Sequence, residues 1–203
     1  MNEKQFHPVA VYKQLIEEHK EWILAATTEH FKETSDVYLG HFVFAAIVDR
    51  TLSNIHGFLK LCEEKNFLCA ASILRQQIDT AMRANAFSLV TDRNELAEKI
   101  FSGVRFSKIV DADGKKMQDF YLRGRLAEKY PWIEQVYEET SGTVHFSEKH
   151  ILSAISDVNK TGEMEFLISG LSTRPMEDFL EIFAAFEHSI RMTYEVLFPD
   201  RVA

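Results

Sequence analysis

Apolar residues recur at three- and four-residue intervals along most of this chain, and this spacing is the feature that most constrains its fold. The residues that follow it after Pro8 are Val9, Tyr12, Leu15, Ile16, His19, Trp22, Ile23 and Ala26. Residues at such intervals share one face of an α-helix. Four Pro and eight Gly in 203 residues leave few breaks, which favours long helices over turn-rich β architecture. The sequence therefore predicts an all-α fold, a bundle of about six or seven helices.

Turn residues divide this pattern into separate helices. The predicted helices cover about residues 8–32, 36–64, 67–90, 92–101, 117–129, 131–144 and 175–198. Before the last helix, residues 163–168 alternate in polarity and residues 159–162 have turn chemistry, which predicts a small β-hairpin inserted at about 150–168. Because no repeat or linker splits the chain, we expect residues 1–203 to form a single helical domain.

Charge and composition narrow the class of protein. The net charge of −8 disfavours a broad RNA-binding surface, since phosphate contacts need an excess of Lys and Arg. Residues 1–8 lack the apolar segment of a secretory signal, and the most apolar run, residues 37–48, is too short to span a bilayer. We therefore expect a soluble, cytoplasmic protein with two reduced thiols, Cys62 and Cys69.

Several common chemistries have no motif in this chain. It lacks a P-loop, a dinucleotide-binding fingerprint, a nucleophile elbow, a Cys-x-x-Cys pair and the Glu-x-x-His pairs of di-iron bundles. The segment 111–114 matches the start of a calcium loop, but the later bidentate Glu is not at its required position. The sequence therefore predicts neither a metal nor a cofactor.

A charge ladder on the predicted third helix is the first candidate site. Arg75, Asp79 and Arg83 are spaced four residues apart beside an apolar face, where Asp79 can pair with both arginines. Across the turn, Asp49 is about level with Arg83 and is its expected counter-charge. One interpretation is a structural ion-pair network that includes Asp49 and Arg83. The alternative is a site for a small polar or anionic ligand, because Arg offers a planar fork to carboxylate or phosphate.

A second ladder follows on the predicted sixth helix, where Tyr137, Ser141 and His145 also lie four residues apart. His145 is interpreted either as a hydrogen-bonded core residue or as an acid–base group close to Arg75. The candidate binding residues of the two ladders are Arg75, Asp79, Arg83, Tyr137, Ser141 and His145.

Together the ladders resemble a widespread uncharacterised family of bacterial helical proteins, which pairs an Arg-x3-Glu helix with a later Ser-x3-His segment. The resemblance covers about residues 67–150, with Asp79 where the family has Glu. That family is in turn distantly similar to HEPN-like bundles, many of them RNA-cleaving toxins or phage-defence proteins. HEPN-like proteins usually carry an Arg a few residues before a His on one helix. Here residues 138–141 are Glu-Glu-Thr-Ser, so that Arg is missing.

Two functions follow from these observations. The favoured one is a non-catalytic module that binds a ligand or partner in a bacterial stress or defence setting. The alternative is a metal-independent HEPN-like ribonuclease, in which His145 transfers a proton and Arg75 stabilises developing charge. Apolar residues on more than one flank of the last helix also predict a homodimer, with this helix or the first one at the interface.

Overall fold

The computed structural model describes residues 8–144, 155–158, 164–166 and 174–201. This part of the chain is an all-α bundle, as the sequence predicts, with seven α-helices among the described residues. In chain order they are α1 (Pro8–Glu33), α2 (Leu39–Glu63), α3 (Phe67–Ala86), α4 (Arg93–Phe101), α5 (Asp119–Ala127), α6 (Trp132–Val144) and α7 (Met176–Leu197). Short 3-10 helices cover Phe106–Lys108 and Pro199–Arg201. No helix in these described ranges is both long and apolar enough to cross a lipid bilayer.

The short helix α4 has well-defined ends. The Oδ1 atom of Asp92 accepts hydrogen bonds from the backbone N–H groups of Asn94 at 2.8 Å and Glu95 at 3.1 Å. These bonds satisfy donors that have no partner within the helix. Past its last turn, Gly103 has a φ of 77°, a conformation that side chains disfavour and glycine adopts readily.

Helix α2 begins at Leu39, three residues later than the sequence predicts. Its N-cap is Tyr38, whose backbone N–H donates to Nδ1 of His41 at 3.0 Å. The predicted caps at residues 34–36 instead lie in the connection from α1. A histidine three residues inside the helix thus takes the place of the usual Glu or Gln of a capping box.

The bundle is organised around α3, which packs against α2, α5, α6 and α7. Helices α2 and α3 are antiparallel neighbours, with Asn54 level with Gln77 and Gly57 level with Ile73. Helix α7 packs against both α3 and α1. The wide apolar face of α7 therefore has partners within the chain, and the predicted homodimer stays a prediction.

Stacked phenylalanines fill the centre of the bundle. The ring of Phe58 on α2 lies parallel to that of Phe186 on α7, with 3.9 Å between centroids, and Phe183 meets it edge-on at 5.2 Å. All three side chains are fully buried or nearly so. Burial of aromatic rings of this size is a major source of stability for the α2–α7 contact.

A buried polar network fixes the register of three helices. The Nε2 atom of Gln77 on α3 donates to Oγ1 of Thr193 at 2.9 Å and of Thr51 at 3.3 Å, and its Oε1 accepts from Nδ2 of Asn54 at 2.9 Å. Gln77 has no exposed surface. Because unpaired buried amides are costly, this set of bonds favours one alignment of α2, α3 and α7.

A second buried polar contact joins α1 to α7. The Nε2 atom of His19 lies 2.6 Å from Oε1 of Glu187, and both side chains are buried. Burial raises the pKa of the Glu187 carboxyl, but the hydrogen bond to His19 and the charge of His188 outweigh it, so that pKa lies below its usual value. The charged form of Glu187 is therefore stabilised in the interior by its partner.

Two short strands, β1 (Ile155–Val158) and β2 (Met164–Phe166), pair antiparallel, with Val158 opposite Met164. The connection between them and the residues on either side lie outside the described residues. The predicted hairpin insertion at about 150–168 therefore stays a prediction.

Candidate functional site

The first charge ladder forms an ion-pair network on the surface of α3. The Nη2 atom of Arg83 lies 3.2 Å from Asp79 and 2.5 Å from Asp119, the first residue of α5. Asp79 also lies 3.9 Å from Nη2 of Arg50 on α2. The Arg83 side chain is 22% exposed, so this network is partly buried and links α3 to both neighbours.

The predicted ion pair between Asp49 and Arg83 is not formed within the described part of the chain, and Asp49 is exposed. The predicted level along the helix was right, because residues near 50 do lie opposite residues near 80. The predicted direction was wrong. Successive helical residues point about 100° apart, and it is Arg50, not Asp49, that faces α3.

The second ladder meets the first through an aromatic ring. The guanidinium of Arg75 lies 3.5 Å from the ring centroid of Tyr137, and that of Arg123 on α5 lies 4.7 Å from it. Burial lowers the pKa of Arg75, against the raising effect of Tyr137 and Asp79. Among the described residues no carboxylate lies within 4.0 Å of Arg75, so this ring is its principal partner.

Ser141, the next residue of the second ladder, is engaged within its own helix. The Oγ atom of Ser141 donates to the backbone carbonyl of Tyr137 at 2.7 Å, a local bond within α6. His145 lies outside the described residues, so its predicted approach to Arg75 stays a prediction. The structure thus brings Arg75 and Tyr137 together, while Arg83 and Asp79 form a separate contact.

A large cavity lies elsewhere, between the ends of six helices. Its volume is about 890 Å³. The lining residues are His30, Tyr38, Gly40, His41, Phe44, Ile47, Ala84, Asn85, Phe87, Ser88, Thr91, Asp92, Arg93, Asn94, Arg125, Leu126, Lys129, Tyr130, Glu195, Val196, Leu197 and Pro199. We call this space the helix-end cavity. None of the described ladder residues lines it, and Asn85 is ten residues, or about 15 Å, further along α3 than Arg75.

One wall of the helix-end cavity is aromatic. The ring of His30 near the end of α1 lies 4.8 Å from Phe44 and 5.6 Å from His41, both in the first turns of α2. Tyr38 stacks beside His41 at 6.0 Å. Burial and the nearby charge of His41 lower the pKa of His30, so its neutral form is favoured. This wall suits a flat apolar group.

The lining also contains a carboxylate, Glu195, whose charge is balanced by neighbouring groups. Tyr130 Oη donates to Oε2 of Glu195 at 2.5 Å, Lys129 Nζ lies 3.2 Å from the same oxygen, and Arg191 Nε lies 3.3 Å from Oε1. Burial raises the pKa of Glu195, but the bonds from Tyr130 and Lys129 outweigh it, so that pKa is below its usual value. Burial, followed by the bond to Glu195, raises the pKa of Tyr130. Glu195 is therefore an ionised group whose charge is balanced by the protein itself.

Two arginines in the lining lack a close carboxylate partner among the described residues. Arg93 Nε donates to the backbone carbonyl of Phe87 at 3.2 Å. Arg125 Nε is buried without a hydrogen bond in the described structure, and the carboxylate of Glu128 lies 3.7 Å from it. These two side chains give the lining positive charge that carboxylates do not fully neutralise.

Sequence reasoning missed this cavity because its lining has no motif. The residues come from separate helix ends, such as His30, Asn85 and Glu195, which lie far apart in the chain. The one usable signal was the pair His30 and His41, which flank the connection between the first two helices. The described residues contain no group of three or more His, Cys, Asp or Glu side chains placed to hold a metal ion.

Comparison with known proteins does not assign this fold and site to a class. No family model matches the chain, and neither a curated protein nor a solved structure matches it. The resemblance to the bacterial helical family and to HEPN-like bundles therefore stays a prediction.

Proposed function

We propose that this protein binds a small organic molecule in the helix-end cavity. The observation that carries the proposal is the size of the cavity, about 890 Å³, together with its mixed lining. Ligand sites in proteins usually measure about 300–1,000 Å³ and combine apolar walls with a few converging polar groups. Here Phe44, Ile47 and Leu126 supply apolar surface, while Asn85 and Tyr130 supply hydrogen-bonding groups.

The lining favours binding over catalysis. Glu195 is engaged by Tyr130 and Lys129, and the carboxylate of Asp92 is used to cap α4. Nδ1 of His41 accepts from the backbone. A general acid or base needs a free proton-transfer atom facing the reacting group. Because Glu195, Oδ1 of Asp92 and Nδ1 of His41 are occupied by structural partners, these atoms suit a fixed binding surface.

Ligand-observed NMR with three naphthalene compounds tests this proposal. The probes are naphthalene-2-carboxamide, naphthalene-2-carboxylate and 2-naphthylmethylammonium, which share one flat apolar body and differ in charge. We expect at least one of them to bind with a Kd of about 1 mM or tighter. A side chain at Gly40 would start 3.5 Å from Asn94 Oδ1, at the edge of the cavity, so Gly40→Leu should weaken binding.

The matched control is Gly124→Leu, which adds the same side chain to α5 where a Cβ meets nothing within 4 Å. It should bind the probes as the wild type does. Absence of binding by all three probes, or equal binding by the two variants, would contradict a ligand site in the cavity.

The HEPN-like ribonuclease remains a second candidate, favoured by one observation. Arg75 is half-buried on the face of Tyr137 and has no carboxylate within 4.0 Å among the described residues, which leaves its charge available to a phosphate. In this alternative, His145→Ala and Arg75→Lys each abolish or weaken RNA cleavage while leaving the melting temperature unchanged. Wild-type protein that cleaves none of a varied set of RNAs would exclude the ribonuclease.

Four further predictions from the sequence also remain proposals. They are a hairpin inserted before α7, a homodimer, a cytoplasmic location and a bacterial stress or defence setting. The homodimer is tested by sedimentation velocity at tens of micromolar, where a species of 23.5 kDa alone would contradict it.

A further inference from the structure

In the helix-end cavity, the carboxylates have closer protein partners than the arginines have. The lining contains two carboxylates, Asp92 and Glu195. Both oxygens of Glu195 contact cations or a phenol, and Asp92 accepts two backbone N–H groups at the start of α4. Glu195 is therefore balanced by cations of the protein, and Oδ1 of Asp92 by the N–H groups at the start of α4.

The two arginines of the lining have no carboxylate at hydrogen-bond distance among the described residues. Lys129 is paired with Glu195 at 3.2 Å, but within the described residues Arg93 has no carboxylate within 4.0 Å. Arg125 has only Glu128, at 3.7 Å, which is beyond hydrogen-bond distance. The charge of Asp111 also acts on Arg125, yet the oxygens of Asp111 accept hydrogen bonds from the phenol of Tyr121 and two backbone groups.

Arg125 is the better placed of the two arginines to hold an anion. Its Nε atom is buried and unpaired in the described structure, while its side chain as a whole is 39% exposed and contributes to the cavity wall. A planar guanidinium forms paired hydrogen bonds with carboxylate or phosphate oxygens. Because Nε itself has no accessible surface, a ligand would meet the exposed part of the guanidinium, where an anionic group would supply the hydrogen-bonded counter-charge that Glu128 at 3.7 Å does not.

We propose that the ligand of the helix-end cavity is an organic anion with a flat apolar body, whose carboxylate or phosphate group is held by Arg125. This rests on the proposed function. The apolar body lies against the aromatic wall formed by His30, His41 and Phe44, and the anionic group is at the Arg125 side. An acidic protein with a net charge of −8 thereby carries a cationic binding cavity.

Titration calorimetry with four probes tests the ligand class. Naphthalene-2-carboxylate and 2-naphthyl phosphate are the two anionic forms, and the carboxamide and methylammonium compounds are their neutral and cationic counterparts. We expect at least one anion to bind about tenfold tighter than the carboxamide, the effect of one charge-assisted contact. The tighter of the two anions identifies the headgroup as carboxylate or phosphate.

Variants of Arg125 assign the preference to this residue. Arg125→Gln should bring the ratio of anion to carboxamide affinity from about ten to about one, while Arg125→Lys should keep part of the preference. The control is Lys60→Gln, which removes an equal charge about 20 Å along α2 from Ile47. It should bind all four probes as the wild type does.

Three results would overturn the inference. Equal affinity for all four probes, or an anion preference that survives Arg125→Gln, would contradict the ligand class and leave the cavity as a binding site. Binding of none of the probes would overturn the proposed function as well, and the inference with it.

Discussion

Gln77 illustrates how one buried side chain determines the arrangement of a bundle. Its amide contacts α2 through Thr51 and Asn54 and α7 through Thr193, with no access to solvent. On the sequence, a glutamine between Leu74 and Ile78 has no feature that sets it apart from an exposed one. Its partners are distant in the chain, so only the packed structure reveals its role.

Replacement of Gln77 should therefore be costly. Gln77→Ala leaves the amide of Asn54 without its acceptor and opens a void in the core, and we expect a loss of about 3 kcal/mol in the free energy of unfolding. The neighbouring Gln76 is exposed, so Gln76→Ala should change stability by less than about 0.5 kcal/mol. Urea unfolding of both variants measures the difference, and similar effects would contradict the network.

His30 should make the stability of the protein depend on pH. Its pKa is lowered by burial and by the charges of His41 and Arg201, against a smaller raising effect of Glu33. The unfolded state, with a pKa of about 6.5, therefore binds more protons than the folded state just below that pH. Above this pH, His30 is neutral in both states and does not lower the free energy of unfolding. As the pH falls below about 6.5, the unfolded state takes up the proton more readily, and the free energy of unfolding decreases.

His30→Phe removes this titration and keeps an aromatic ring beside Phe44. Thermal melts between pH 8 and pH 5 should then show a smaller loss of melting temperature for the variant than for the wild type. Parallel curves for the two proteins would show that His30 does not titrate differently on folding.

At the scale of the helices, the sequence predicted where each helix lies in the chain better than it predicted which side chains face a neighbouring helix. All seven described helices lie close to their predicted ranges, because apolar spacing and caps such as Asp92 are local signals. Helix α2 starts late because its cap is Tyr38 with His41, a pairing that residue preferences do not favour. The predicted pair of Asp49 and Arg83 is wrong because charge spacing does not show which of two neighbouring residues, Asp49 or Arg50, faces α3.

The ion pairs of α3 give a prediction at this scale. A double-mutant cycle with Arg83→Met and Asp119→Ala should show a coupling of about 0.5–1 kcal/mol, typical of a partly exposed pair. Asp49→Ala should change the free energy of unfolding by less than about 0.5 kcal/mol, since Asp49 is exposed. A coupling between Asp49 and Arg83 as large as that with Asp119 would contradict the described geometry.

At the scale of the whole molecule, helical spacing predicted the all-α fold class but not the candidate site. The ladders of α3 and α6 are visible in the sequence because their polar residues are regularly spaced. The cavity is formed where six helices end, and its residues acquire a common surface only when α1, α2 and α7 pack together. Spacing within one helix carries no information about such a surface.

The most direct test of the helix-end cavity as the binding site is a methyl NMR titration with naphthalene-2-carboxylate. The methyl-bearing residues Ile47, Leu126 and Leu197 line the cavity, whereas Ile133 and Val136 lie on α6 close to the ladder residue Tyr137. We expect saturable shifts of the three cavity residues, with Ile133 and Val136 unchanged. Shifts confined to Ile133 and Val136 would place the ligand at the ladders and contradict the account.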